Sequence, residues 1–336
     1  MYNFDEKSYR KEAELTYETR TDIEQIADMI SKEGFSNIFF IASGGSLAIM
    51  NPVHYVLKQR TAIPVYLEVA AEVIHTGNKE LTKDSLVITA SKSGTTKETV
   101  AVTKWCIEQG IRVFALCGKM DSPLSQLATY SVIGKAKDAP EFEYMQLFMF
   151  TMRLLHNNCE FPDYNRFADQ LATLPKDLIR FRDEFEPQAM KIAEVCHKEP
   201  YQMWIGGGSI WGEIYSFTMC VLEEMQWNRT KAVTSAEFFH GTLELVEKDT
   251  PVVLVKNDDN TRMLDERVEN FLPKVCDKYF VIDLHNFRFS QIDDQFRAIL
   301  MAPICSAIIG DCLSAHYEKC SGHSLDIRRY YRQMEY

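Results

Sequence analysis

Short, uninterrupted apolar runs alternate along this chain with longer stretches whose apolar residues recur at helical spacing. Asn37-Ile38-Phe39-Phe40-Ile41-Ala42 is the first such run. It lacks the in-and-out alternation of a half-exposed strand, so both faces must be covered, as in a parallel sheet. Ile63-Pro64-Val65-Tyr66-Leu67, Ser85-Leu86-Val87-Ile88-Thr89-Ala90 and Arg112-Val113-Phe114-Ala115-Leu116 repeat the signal. Segments of helical period lie around them, near Asp22 to Lys32, Thr96 to Gln109 and Glu141 to Asn157. A break at Phe161-Pro162-Asp163 and a charged helical connector, Asn165 to His197, precede a second round. There Tyr201-Gln202-Met203-Trp204-Ile205, Pro251-Val252-Val253-Leu254-Val255 and Lys278-Tyr279-Phe280-Val281-Ile282 read as strands, with helices from Trp211 to Trp227 and from Thr261 to Leu272. Strand and helix in alternation predict βαβ units with right-handed crossovers. The expected fold is α/β, with two domains at 20–160 and 186–325, each a parallel sheet between helix layers, and a tail at 326–336.

In open α/β sheets, ligands collect beyond the carboxyl ends of the strands. The loops after Ala42, Ala90 and Ile205 therefore take priority: Ser43-Gly44-Gly45-Ser46, Ser91-Lys92-Ser93-Gly94-Thr95-Thr96 and Gly206-Gly207-Gly208-Ser209. The second carries four hydroxyls in six residues just before a helix. A helix start offers unpaired amides and a positive dipole end, and hydroxyls donate to phosphate oxygens, so neutral groups can hold a dianion there. Capping of the helix by Ser93 or Thr96 is the competing use of the same residues. The glycines of the first loop allow close backbone approach, and neighbouring strand ends would let the two loops converge on one ligand. Neither loop has the Gly-Lys-Ser/Thr ending of a Walker loop, and no dinucleotide glycine fingerprint occurs.

Composition narrows the classes. An apolar fraction of 46% with 25% charged residues describes a globular chain of 336 residues. A formal charge of −11 disfavours a nucleic-acid partner, which Lys and Arg would have to hold. Met1-Tyr2-Asn3-Phe4-Asp5-Glu6-Lys7 is no signal peptide, and no apolar run reaches membrane-spanning length, so a cytoplasmic protein with no membrane partner is expected. The nine cysteines are odd in number and scattered, as reduced core thiols would be. Cys312, His316 and Cys320 recur every fourth residue, with His323 following, and could suggest zinc. On one helix they spread over about 12 Å, too far for a single ion, so a packed helix face is expected and no metal is assigned.

The loops Ser43-Gly44-Gly45-Ser46 and Ser91-Lys92-Ser93-Gly94-Thr95-Thr96, with Ser122-Pro123-Leu124, resemble the signature of SIS (sugar isomerase) domains. Glu224-Met225-Gln226-Trp227, Ala236-Glu237-Phe238-Phe239-His240-Gly241, Arg328-Arg329-Tyr330-Tyr331 and Glu335-Tyr336 extend the match. Together, over roughly residues 30 to 336, they resemble the double-SIS fructosamine-6-phosphate deglycases, and the Glu-Met-Gln-Trp and Glu-Phe-Phe-His-Gly pair is the more specific part. The resemblance implies that Ser46, Ser91, Ser93 and Thr96 hold a sugar 6-phosphate, with Gly45 and Lys92 as further substrate-binding candidates. Glu224 would then be the proton-transfer carboxylate, and His240 the partner histidine, reaching the site from a neighbouring subunit of a dimer or larger homo-oligomer. No cofactor is implied. Ser43 stands where the family often has cysteine, Lys92 where it has an uncharged polar residue or histidine, and Thr242 where it has proline.

The residues themselves leave alternatives open. Glu224 ends an apolar helical stretch, where partial burial would suit a base that must also act as an acid, but a helix-end carboxylate in a salt bridge looks the same. His240, between an aromatic and a glycine, fits a turn after a packed segment; Glu237, three residues earlier, could orient its imidazole or bind a sugar hydroxyl. An aldose–ketose isomerase, an aminosugar-phosphate deaminase or a non-catalytic sugar-phosphate binder could share the phosphate loop. The basic-aromatic tail Arg328-Arg329-Tyr330-Tyr331-Arg332 could meet a substrate carboxylate or, as its charge pattern favours, pack on its own domain.

Overall fold

A computed structural model describes residues 1–335, so Tyr336 of the tail motif lies outside the described residues. The chain divides into two compact units, Glu6–Pro175 and a second made of Lys176 onward together with Met1–Asp5.

In the first unit, β1 (Asn37–Ala42), β2 (Val65–Val69), β3 (Ser85–Ser91), β4 (Arg112–Cys117) and β5 (Tyr130–Ile133) form a sheet in the order β2-β1-β3-β4-β5. Every pairing is parallel, with Ile38 opposite Leu86 and Ala90 opposite Leu116. All residues of β1 and β3 are buried, which is why their sequences show no alternation. The edge strands β2 and β5 are only half covered. One helix layer includes Pro140–Asn157, apolar around most of its circumference and buried along most of its length. Its Phe150 stacks on Phe114 of β4 with ring centroids 3.7 Å apart. A helix at Glu6–Glu18, too polar to stand out in the sequence, is held by Tyr9, whose hydroxyl donates to the buried Glu141 carboxylate at 2.8 Å.

In the second unit, β6 (Gln202–Ile205), β7 (Thr230–Val233), β8 (Val252–Lys256) and β9 (Tyr279–Asp283) form a sheet ordered β7-β6-β8-β9, again parallel throughout. Met203, Ile205, Val252, Leu254, Val268 and Leu272 make one side of its core. Two strands escape the sequence reading: β5, and β7, whose Lys231 is exposed and whose four residues are shorter than a typical strand signal. The single helix expected from Trp211 to Trp227 is an α-helical turn, Trp211–Ser216, running into a π-helix, Phe217–Met225. A second π stretch, Ser306–Leu313, precedes the helix Ser314–Ser321. Among the described residues, no helix is long and apolar enough to cross a membrane.

Candidate active site

The sheet order of the first unit puts its switch point between β1 and β3, since the chain leaves β1 for an edge on one side and returns to build the other. The loops after these two strands are neighbours, and Thr89 fastens their strand ends by donating to the Ile41 carbonyl at 2.6 Å. Each loop leads into a helix, Gly44–Leu57 and Lys97–Glu108, and neither helix has a side-chain cap at its start. Ser43 occupies the cap position of the first without bonding its amides, and its buried hydroxyl has no partner among the described residues. Thr96 occupies the cap position of the second but turns its hydroxyl to Ser91 Oγ, 2.9 Å away. Capping thus accounts for neither loop, and two helix starts keep their unpaired amides beside a row of hydroxyls.

The second loop is built from within. Ser91 is 1% exposed, and its Oγ accepts the Gly94 N–H at 3.1 Å. Ser93 Oγ accepts both the amide and the hydroxyl of Thr95, at 3.2 and 2.9 Å. Gly94 has a φ of +66°, and a Cβ there would lie 2.1 Å from Ser122 Oγ, so both its conformation and its close approach require glycine. Ser122 in turn caps the short helix Pro123–Leu127 by accepting the Ser125 amide. Gly45 and Ser46 lie in the first turn of their helix, partly exposed. Lys92 pairs with a neighbouring carboxylate: its Nζ lies 3.7 Å from Glu143 Oε1. Burial pushes the Glu143 carboxyl above its ordinary range, against the pull of Lys92.

The corresponding loops of the second unit are closed to an anion. In the Gly206-Gly207-Gly208-Ser209 loop, the amide and hydroxyl of Ser209 donate to Asp259 Oδ2, at 3.1 and 2.8 Å. The same carboxylate takes the Asn257 side-chain amide at 2.9 Å and, through Oδ1, the Thr261 hydroxyl and amide, at 2.5 and 2.7 Å. An internal carboxylate occupies the donors that a phosphate would need. The loop after Ile205 is therefore not a ligand loop, and where β3 is followed by serines and threonines, β8 is followed by Asp258 and Asp259.

Glu224 and His240 both belong to the second unit. Glu224 lies near the end of the π-helix, whose wider turn rotates it relative to an α-helical path. Its carboxylate is 27% exposed and receives the Arg328 Nε at 2.5 Å. Arg328 is held in turn by the Leu325 and Ile327 carbonyls, accepting from Nη1 at 2.6 and 3.0 Å. The rest of the Glu-Met-Gln-Trp motif docks the same tail. Gln226 donates to the His323 carbonyl at 2.7 Å, while the Trp227 ring meets His323 at 4.3 Å and carries the Arg329 guanidinium at 4.2 Å. The tail thus packs on its own unit, as its charge pattern favoured, and its Arg328 lands on the candidate base. The sequence reading missed this pairing.

The His240 loop is anchored by aromatic rings. Phe238 is fully buried, Phe238 and Phe239 lie 5.9 and 5.4 Å from Phe271, and Arg267 stacks 4.0 Å above Phe239. Upstream, Ser235 donates to the buried Asp265 carboxylate, which also accepts the Asn257 amide at 2.8 Å. These ties leave His240 and Glu237 exposed, linked through the backbone by His240 N–H to the Glu237 carbonyl at 2.9 Å. Their side chains make no hydrogen bond to each other. At Thr242, where the family has proline, the chain enters a single 3₁₀ turn, Thr242–Leu245.

Residues 29–155 match the SIS domain, which spans the first sheet and both phosphate-type loops. The match covers the first of the two units, and the second repeats its architecture of a parallel sheet between helices. Over 96% of its length the chain is 29% identical to the whole of the fructosamine deglycase FrlB of Bacillus subtilis. It is also 22% identical, over 92% of this chain and 89% of the relative, to the fructoselysine 6-phosphate deglycase of Escherichia coli. A Bacillus subtilis crystal structure, solved as that of a candidate phosphosugar isomerase, superposes with a TM-score of 0.87 at 28% identity, covering 94% of this chain and 97% of the other. These likenesses run over nearly the full length of the chain and support an enzyme of the deglycase class.

Proposed function

We propose that the protein is a deglycase that converts a 6-phosphorylated Amadori compound to glucose 6-phosphate and a free amine. The observation that carries this reading is the pair of neighbouring, uncapped helix starts lined by Ser43, Ser46, Ser91, Ser93 and Thr96, a site for a phosphate dianion made of neutral donors. Together with Gly45 it anchors the sugar at C6, and Lys92 adds a positive charge at its margin. Likeness to deglycases over nearly the full length supports the amine-releasing chemistry.

In an Amadori compound C2 is a ketone and C1 carries the amine. Glu224 takes a proton from C1, giving an enaminol, and returns it to C2, leaving a C1 imine. Water adds to that imine, and collapse of the carbinolamine releases the amine and the C1 aldehyde of glucose 6-phosphate. Proton transfer by a placed carboxylate contributes about 10²–10⁴-fold. His240 opens the sugar ring by moving a proton between the ring oxygen and the C2 hydroxyl, and Glu237 binds a sugar hydroxyl. The exposure of His240 and Glu237 suits a site completed by a neighbouring copy of the chain, so a homodimer or larger homo-oligomer belongs to this reading.

The test is a panel of fructosamine 6-phosphates that differ only in the amine, with glucose 6-phosphate and amine both assayed and no cofactor added. Turnover of at least one member is expected; silence across the panel would overturn the reading. Glu224→Gln should abolish turnover while leaving binding of the phosphorylated sugar nearly unchanged, and a fully active variant would remove Glu224 from its role.

A further inference from the structure

Cys312 and His316 lie one helical turn apart where the second π stretch meets the helix Ser314–Ser321, and both are buried. Cys320, a further turn on, is partly exposed and does not join them. In its place stands Glu186, from the helix Leu174–Cys196: one ligand-type atom from each of Glu186, Cys312 and His316 lies within 4.8 Å of the others. The every-fourth-residue spacing thus does not gather its three members at one point, and the cluster draws its third member from another helix.

His316 is 2% exposed, and its Nε2 lies 3.1 Å from Glu186 Oε1 but off the line a hydrogen bond needs. Neither ring nitrogen has a hydrogen-bond partner among the described residues. A buried imidazole left without a directed bond is costly. Cys312 Sγ lies 3.4 Å from Glu186 Oε2. Around a tetrahedral zinc ion, bond lengths of about 2.0 Å to N and O and about 2.3 Å to S place N and O roughly 3.3 Å apart, and S and O roughly 3.5 Å apart. The two observed separations are of that size but fall on different carboxylate oxygens, so a small turn of the Glu186 carboxylate would bring one oxygen to the ion with the imidazole and thiolate. The first residues of the chain close the cluster from outside: the Tyr2 amide donates to Glu186 Oε1 at 2.9 Å, and the Tyr2 ring sits 6.0 Å from the imidazole.

We propose that Glu186, Cys312 and His316 form a binding site for Zn²⁺, with water as the fourth ligand. The thiolate and imidazole select a zinc-class ion over Mg²⁺ or Ca²⁺, and the two anionic ligands balance its charge once the thiol proton has left to solvent. The site is separate from the sugar-phosphate chemistry; it fastens the helix that carries Glu186 to the helix that carries His316.

Full-length protein stripped with a chelator is titrated with zinc chloride against a chromophoric competitor, and its thermal midpoint is followed. One equivalent per chain and a raised midpoint are expected. Cys312→Ser and Glu186→Gln should each weaken binding at least about tenfold, whereas Cys320→Ser should leave it unchanged. Co²⁺ in place of Zn²⁺ should show a thiolate charge-transfer band that Cys312→Ser removes. Absence of saturable binding, or equal affinity in Glu186→Gln, would overturn the site and leave a cluster held by protons alone. Should Cys312→Ser fail to fold, Glu186→Gln, whose carboxylate is 27% exposed, carries the decision.

Discussion

In the proposed reaction Glu224 does the chemistry, and Arg328, which bonds its carboxylate, would hold it still. The guanidinium is fixed by two tail carbonyls, so the carboxylate it meets has little rotational freedom. Replacing Arg328 by Ala should lower kcat by roughly tenfold, as a misplaced base would, while KM for the sugar phosphate changes little. Arg328→Lys, which keeps the charge but not the planar fork, should recover part of the loss. A steady-state comparison of the three proteins checks this, and an Ala variant with unchanged kcat would make the tail contact packing alone. Ser91 belongs to the same scale but acts on the other term. Its buried hydroxyl organises Gly94 and Thr96, so Ser91→Ala should raise KM about tenfold or more with kcat nearly intact. The folding cost should stay near 1 kcal/mol, the worth of one ordinary hydrogen bond.

At the scale of elements, the difference between an open and a filled loop rests on a few side chains. Gly94→Ala should remove sugar-phosphate binding, because the positive φ and the Ser122 side chain leave a methyl group no room; a binding titration on the folded variant checks it. Asp259→Ala should leave turnover unchanged but destabilise the second unit by about 1–3 kcal/mol, the usual cost of stripping buried donors of their acceptor, read from denaturant unfolding. The strands ending at Ala42 and Ile205 were equally legible as apolar runs before glycine-rich loops, yet only the second loop has its donors filled by a carboxylate of its own unit. Sequence pattern reports burial along an element, and so it located β1, β3, β4, β6 and β8. It was blind to β5 and β7, short edge strands with half-covered faces, and to the π-helical winding around Glu224, since apolar residues mark a π-helix and an α-helix alike. Asp259 in the glycine loop and Arg328 on Glu224 were invisible for another reason. The residues that meet are 50 and 104 positions apart, and a lone polar residue in a loop carries no period to read.

Across the whole molecule, two aspartates, Asp265 buried and Asp283 half-buried, should set opposite trends of stability with pH. Burial is the largest influence on both. At Asp265 it prevails over the bonds from Ser235 and the Asn257 amide, and the carboxyl is pushed up to about 6. At Asp283 the two-pronged bond from Arg262, at 2.8 and 2.7 Å, together with the His285 amide and the charges of Arg262 and Lys256, outweighs it and holds the group down at about 2. An acid whose folded value is raised binds more protons when folded than when unfolded, so its contribution works against folding above about pH 6. That contribution is relieved as pH falls toward the ordinary carboxylate value near 4. Asp283 has the reverse sign: its contribution is present above about pH 4 and is lost as pH falls toward 2. Taken together, these two groups should make the protein more resistant to urea at pH 5 than at pH 7, and less so again below pH 4. Asp265→Asn keeps an acceptor for Ser235 but cannot ionise, so it should erase the gain between pH 7 and pH 5, worth at most roughly 3 kcal/mol, and leave the acid limb in place. If the variant kept the full pH 7 to 5 gain, the rise would have to come from other groups, and the carboxylate beneath the His240 loop would be ionised at no cost.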